Sequence, residues 1–173
     1  MSLLRNDAMI KRVLFGLVLV VGCAAALHAY SLEGIDGWIF SRLEIHFPQD
    51  TVYAPGYSDQ AFRRVRRNMT EAEVRNVLPR PLAEVWIYDE SGPVLTSIDF
   101  VGERVETLRN GDSPKLKGVQ RGMTKADVVR LLGEPGERTF VYSRRPTDAS
   151  YHVRVVLFRN GRVAERISEF YVD

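Results

Sequence analysis

Residues 121–135 read RGMTKADVVRLLGEP, and this stretch decides the fold. Thr124 can cap a helix that begins at the next residue, and Asp127 occupies the acidic position of a capping box. Gly133 can adopt the left-handed conformation that ends a helix, and Pro135 prevents its continuation. The apolar residues between these signals are spaced as one helical stripe: Val128, Leu131 and Leu132. The sequence therefore predicts a capped helix over residues 125–132.

A similar phrase occurs 54 residues earlier, where residues 67–81 read RNMTEAEVRNVLPRP. The same shift aligns Trp86 with Phe140 and Tyr88 with Tyr142. With four more residues inserted, Phe100 aligns with Phe158. Because these matches keep one order through a helix and the strands after it, they indicate an internal duplication.

Each copy is predicted to contain one helix and three antiparallel strands, which gives an α+β layer architecture with the helices on one face. The first unit spans 58–110 and the second spans 111–173. The predicted elements are a helix at 71–78 with strands at 84–88, 94–100 and 104–108, then a helix at 125–132 with strands at 138–143, 151–158 and 162–172. Asn160-Gly161 predicts a type I′ turn between the last two strands.

The N-terminal region is predicted to be a signal peptide or membrane anchor, residues 1–29. Residues 13–29 are an apolar run of 17 residues, preceded by Lys11-Arg12. Three fates stay open: lipidation at Cys23 within a lipobox-like VVGC, cleavage after Ala26 or Ala29, or retention as an uncleaved anchor. Each of them places the rest of the chain outside the cytoplasm.

Charge and cysteine content narrow the function classes. The chain carries 24 basic and 22 acidic side chains, and its net charge of +2 is accounted for by the first twelve residues. The remainder is neutral, whereas a nucleic-acid-binding domain is expected to be basic, so no nucleic-acid partner is expected. Cys23 is the only cysteine. The exported part therefore has no disulfide, and we expect its two units to pack on each other.

Residues 30–57 are predicted to be a connector that leans on the first unit, with a short strand at 43–47. Residues 58–67 are predicted to be helical, with Ser58 or Asp59 as the cap and Ala61, Phe62 and Val65 as its apolar stripe.

Residue types that carry catalysis or bind metals do not form a recognisable pattern. The three histidines, His28, His46 and His152, have no partner at metal-ligand spacing, and no nucleophile elbow or phosphate-binding loop is present. We therefore expect no enzyme activity, no metal and no cofactor.

Four aromatic residues at equivalent positions of the two units are the candidate partner-binding residues: Trp86, Tyr88, Phe140 and Tyr142. Aromatic side chains dominate binding hot spots. The other interpretation is that all four belong to the core, because aromatics that recur in a duplicated unit usually do.

Residues 122–135, GMTKADVVRLLGEP, then a strand with Tyr142, then FRNGRV at 158–163, resemble the SmpA/OmlA/BamE family of small bacterial envelope lipoproteins. The resemblance covers roughly 121–173 and, more weakly, 67–110. It implies a helix-plus-three-strand unit, an envelope location, and protein or lipid binding without catalysis. The best-known role in that family is as an accessory part of the machine that inserts β-barrels into the outer membrane. The tandem arrangement is similar to the β-lactamase inhibitor protein family, which binds an enzyme with a concave sheet face.

These observations predict a non-catalytic, membrane-tethered binding module in the periplasm of a bacterial cell envelope. Its expected role is outer-membrane or envelope assembly or maintenance, with an envelope protein as partner and no small-molecule substrate. The alternative is an inhibitor-like module that binds an exported enzyme through its open sheet face.

Overall fold

The computed structural model describes residues 17–23, 25, 50–90 and 95–171. The chain divides into two compact units, Met1–His46 and Phe47–Asp173. In the first unit, residues 17–23 and 25 are helical and their side chains are exposed. All strands in the described part of the chain belong to the second unit.

The second unit is built on a six-stranded antiparallel sheet. The strands in chain order are β1 (Val52–Tyr53), β2 (Ala83–Asp89), β3 (Thr96–Val101), β4 (Arg104–Arg109), β5 (Glu137–Val141), β6 (Ser143–Arg144), β7 (Tyr151–Arg159) and β8 (Arg162–Tyr171). The order across the large sheet is β4-β3-β2-β5-β7-β8, and β1 pairs with β6 in a small second sheet. The large sheet therefore consists of a first meander, β2-β3-β4, joined through β2 and β5 to a second meander, β5-β7-β8.

Three short α-helices accompany the sheet, namely α1 (Asp59–Arg64), α2 (Glu71–Val77) and α3 (Lys125–Leu132), with one 3-10 helix, Pro114–Leu116. Ser58 caps α1 by accepting a hydrogen bond from the Ala61 amide. Thr70 caps α2 and Thr124 caps α3, and each forms a capping box with the acidic residue three positions later. The bounds of α3 and its capping box are as predicted, because both signals are local in sequence.

Helix α3 packs on the first meander, although it leads into the second. The core at this contact consists of Trp86, Ile98, Phe100, Val105, Leu116, Val119 and Val128, with Tyr88, Leu108, Met123, Val129 and Leu132 partly buried against it. The predicted stripe on α3 is therefore right for Val128 and Leu132 and wrong for Leu131. Leu131 is 50% exposed and lies at the surface against Gly118, while Val129 contacts the core.

Helices α1 and α2 lie against the second meander in the same way. Phe62 of α1 packs against Tyr142, and Arg75 of α2 lies 4.4 Å from the centre of the Phe140 ring. The fully buried apolar residues of this region include Phe62, Val74, Phe140, Tyr142 and Phe158. The two helices that precede the meanders are thus crossed: each covers the sheet half to which the other leads.

Backbone hydrogen bonds at the two outer strands accompany this crossing. The Val105 amide on β4 donates to the Met123 carbonyl just before α3, over 2.8 Å. The Val163 amide on β8 donates to the Met69 carbonyl just before α2, over 2.7 Å. Each segment before a helix therefore covers part of one edge of the sheet, which would otherwise expose unpaired backbone groups.

The α+β class with an antiparallel sheet is as predicted, and so is the turn at Asn160-Gly161, where both residues have positive φ. The described end of the predicted connector contacts both predicted units, since Tyr57 packs against Phe62 and donates to Asp59 in the first. Val52 and Tyr53 pair with β6, and the Ala54 amide donates to the Tyr142 carbonyl, so this end lies beside the second meander. The predicted strand at 43–47 lies outside the described residues.

Candidate functional site

The four predicted partner-binding aromatics lie on the helix-covered side of the sheet. Trp86 is 4% exposed, and Phe140 and Tyr142 are fully buried. Tyr88 is partly buried, its hydroxyl donates to the Gly133 carbonyl over 3.1 Å, and burial raises the pKa of this phenol to about 12. The core interpretation therefore holds for Trp86, Phe140 and Tyr142, and the prediction of an exposed aromatic binding surface is wrong for them.

The opposite face of the sheet has a different character. Antiparallel partners share a face, and one row crosses all six strands there: Thr107, Asp99, Val85, Thr139, Leu157 and Glu165. Its two ends, Thr107 and Glu165, are exposed, and the four residues between them are partly buried. The helix-covered face, by contrast, has Ile98, Phe100 and Val156 with no exposed area.

An apolar patch occupies the part of this opposite face that lies over the second meander. Its partly buried residues are Val141, Val153, Val155, Leu157 and Ile167. We call this set the valine patch. Its rim is charged: Glu165 and Glu169 on β8 are exposed, and Glu137 pairs with Arg159 across β5 and β7. An apolar centre with a charged rim is the anatomy of a protein–protein interface.

Where α3 crosses the first meander, an ion-pair network lies under the helix, and we call it the first seam. The Lys125 ammonium lies 2.8 Å from the Glu84 carboxylate and 3.5 Å from Glu103, which also pairs with Arg80 at 3.1 Å. The side chain of Glu84 is 7% exposed, and Arg75 pairs with its other oxygen at 2.9 Å. Burial alone would raise the pKa of Glu84, but the hydrogen bonds and charges of Lys125 and Arg75 outweigh it and hold that pKa below the ordinary value.

The second seam lies where α2 crosses the second meander. Arg138 of β5 pairs with Glu71 of α2 at 2.9 Å and also with Glu134. Its guanidinium lies 4.9 Å from the centre of the Trp86 ring, so it also makes a cation–π contact. A cavity of about 330 Å³ opens beside Arg138, lined by Glu71, Glu134, Pro135, Gly136, Phe158, Asn160 and Gly161.

A buried arginine on β7 was not anticipated from the sequence. Arg154 is 2% exposed; its Nε donates to Asp59 over 3.3 Å and its Nη1 to the Val153 carbonyl over 2.9 Å. Tyr57 donates to the same Asp59 carboxylate over 2.8 Å, and burial, together with this bond, raises the pKa of Tyr57. Its burial depends on Asp59 of α1, at a sequence separation of 95 residues, so no local sequence pattern could have revealed it.

Cys23, the predicted lipid-attachment residue, is exposed and forms no disulfide. Within 17–23, 25, 50–90 and 95–171, no three His, Cys, Asp or Glu side chains are placed to hold a metal ion. In those same ranges, no helix has the length and apolar character needed to cross a bilayer. Comparison of the chain with known protein families, with curated proteins and with solved structures found no match.

Proposed function

We propose that this protein is a non-catalytic binding module that receives a protein partner on the valine patch. The observation that carries the proposal is the asymmetry of the large sheet. Helices cover one face and fully bury its central apolar side chains, whereas the other face presents partly buried Val141, Val155 and Ile167 within a charged rim. An apolar centre of this kind gains free energy when a partner removes it from water, at roughly 25 cal/mol per Å² of apolar area.

The proposal includes an envelope location, with the folded unit tethered in the periplasm by the N-terminal region. Its support is the sequence of residues 1–29, where a basic flank precedes an apolar run. The partner would then be an envelope protein, and the role would be envelope or outer-membrane assembly or maintenance, as in the SmpA/OmlA/BamE family that the chain resembles.

We also propose that residues 58–110 and 111–173 are tandem copies of one helix-plus-three-strand unit. Matched geometry supports this. Trp86 and Phe100 lie 4.5 Å apart by ring centres, and Phe140 and Phe158 lie 4.6 Å apart. Each three-stranded half also has a register shift at the same place, beside Phe100 in one and beside Phe158 in the other.

The binding proposal is tested with Leu157→Lys, which places a charge in the valine patch. Full-length protein would be crosslinked in envelopes of its host, and the stoichiometry of each recovered partner would be compared with that of the unchanged chain. Loss of one stoichiometric partner is the expected result. Leu131→Lys is the matched control, because it makes the same change at an exposed leucine on α3. Equal recovery by both variants would contradict the proposal.

The second candidate function, occlusion of an exported enzyme, uses the same face and is favoured by the same asymmetry. It predicts that the recovered partner is an enzyme whose activity falls when it binds the purified folded unit. An assembly role predicts instead that deletion lowers the yield of outer-membrane proteins while no enzyme activity rises. Measuring both quantities in one deletion strain separates the two functions.

A further inference from the structure

The two seams occupy equivalent positions of the two sheet halves. Glu71 and Lys125 are each the first residue of their helix, directly after a capping threonine. Glu84 lies three residues after Pro81, and Arg138 lies three residues after Pro135. Val85 pairs directly with Thr139, so the approximate two-fold axis of the sheet passes between these residues and relates Glu84 to Arg138.

The charges at these equivalent positions are opposite. In the first seam, a helix lysine meets a strand glutamate at 2.8 Å. In the second seam, a helix glutamate meets a strand arginine at 2.9 Å. All four side chains are at most 24% exposed, so water screens their charges less than it would on the surface.

The central apolar contact is the same for both helices, although Val129 of α3 contacts the core where α2 has Arg75 at the equivalent position. Val74 of α2 and Val128 of α3 are both fully buried at equivalent positions. Val128 packs in the cluster that contains Phe100, and Phe158 is the equivalent ring of the other half. An apolar core tolerates exchanges that conserve volume, so these two valine contacts alone do not decide between the two arrangements.

Both arrangements are within reach of the chain. Residues 78–82 join α2 to β2, and residues 133–136 join α3 to β5. Since β2 and β5 are neighbours at the centre of the sheet, a helix that leads into one of them can lie over either meander. The uncrossed arrangement would set Glu71 against Glu84 and Lys125 against Arg138, which are two like-charge contacts at poorly hydrated positions.

We infer that the opposite charges of the two seams are the device that selects the crossed arrangement of α2 and α3 over the uncrossed one. Like-charge contacts of this kind discriminate between otherwise similar pairings by penalising the wrong one. The charges thus determine which helix covers which half of the sheet, in addition to any stability that they contribute.

The first test makes the two seams alike. The variant Glu71→Lys/Glu134→Arg/Arg138→Glu gives the second seam the residue types of Lys125, Arg80 and Glu84, so the contact between the first helix residue and the strand carboxylate is attractive in both arrangements. We expect it to fold and to give two sets of Val128 methyl signals in NMR spectra, one with contacts to Phe100 and one with contacts to Phe158. The unchanged protein should give only the first set, and a single crossed set in the variant would overturn the inference.

A second pair of variants keeps the inference testable if that variant does not fold. Glu71→Lys/Lys125→Glu preserves composition and net charge but makes both crossed contacts repulsive. Glu71→Gln/Lys125→Gln removes the same attractions without adding repulsion. We expect the glutamine variant to keep the contacts between Val128 and Phe100. The charge-exchanged variant should lose them or unfold at a lower urea concentration. Equal midpoints with the same contacts in both variants would overturn the inference.

Discussion

The two halves of the sheet share their apolar packing and differ in their polar groups. Phe100 and Phe158 are buried in equivalent ring pairs, and the backbone bonds made by Val105 and Val163 to the segments before the helices agree to within 0.1 Å. The charges of the seams are reversed, and Arg154 is buried in the second half where the first half has Thr96. The apolar core is therefore largely common to the two halves, and the polar residues distinguish one half from the other.

The apolar packing that the two halves share can be tested by removing one buried ring from each half. Phe100→Ala and Phe158→Ala each remove a fully buried ring from an equivalent stack, and each should lower the free energy of unfolding by about 3–5 kcal/mol. Urea denaturation of the folded unit measures both. A loss that is much smaller in one half would mean that the two cores are not equivalent.

Variants at Arg154 and Thr96 test whether the polar difference between the two halves affects stability. Arg154→Ala removes the contacts to Asp59 and to the Val153 carbonyl and should cost about 3 kcal/mol, the low end for breaking a buried pair, because the side chain of Asp59 is 53% exposed. Thr96→Ala, at the equivalent position, removes one hydrogen bond from Asn110 and should cost about 1 kcal/mol. Equal losses in the free energy of unfolding would show that the polar difference between the halves does not affect stability.

The first seam makes a prediction for pH. Burial opposes ionisation of Glu84, but Lys125 and Arg75 together hold its pKa below the ordinary value of 4.5. A carboxyl whose pKa is lowered on folding contributes stability above its unfolded pKa and loses it as pH falls through the folded pKa. Glu84→Gln should therefore reduce the fall in stability below about pH 4.5 and cost about 2 kcal/mol at pH 7. If Glu84→Gln leaves the fall in stability at acid pH unchanged, then Lys125 and Arg75 do not stabilise the ionised form of Glu84 in the folded protein.

Local signals let the sequence predict most of this fold. The capping boxes at Thr70 and Thr124 and the turn at Asn160-Gly161 depend on residues a few positions apart, so their patterns identify them. The crossing depends on which of two similar apolar surfaces a helix chooses, and apolar periodicity carries no information on that choice. The opposite signs of Glu71 and Lys125 were visible in the sequence, but their partners became evident only from the strand register.

The candidate site was predictable only in part. The recurrence of Trp86 and Phe140 marks equivalent positions, and the structure shows that these are core positions, since a helix covers each. Strand alternation places Val153 and Val155 on one face of β7, but it does not say which face the helices cover. The burial of Arg154 arises from α1, nearly a hundred residues away, so a local pattern could not reveal it.

The two capping threonines should contribute equally. Thr70→Ala and Thr124→Ala each remove the hydroxyl that accepts from the third helical amide, at 3.2 Å in both helices, and each should cost about 1 kcal/mol. The two losses should add in the double variant, because the sites are independent. Thermal unfolding of the two single variants and the double variant checks both statements. If the two single variants lose very different amounts of stability, then the two halves are equivalent only in their cores.

The smallest expected effect concerns the residue that precedes each Met-Thr pair. Asn68 and Gly122 both have positive φ, at 70° and 89°, and an added Cβ at Gly122 would meet no atom within 4 Å. Asparagine tolerates this conformation better than alanine does, because its short side chain can form local hydrogen bonds. Gly122→Asn copies the first half and should cost less than Gly122→Ala, for which about 1 kcal/mol is expected. Urea midpoints compare the two variants. If Gly122→Asn lowers the stability as much as Gly122→Ala does, then asparagine has no advantage over alanine in this backbone conformation.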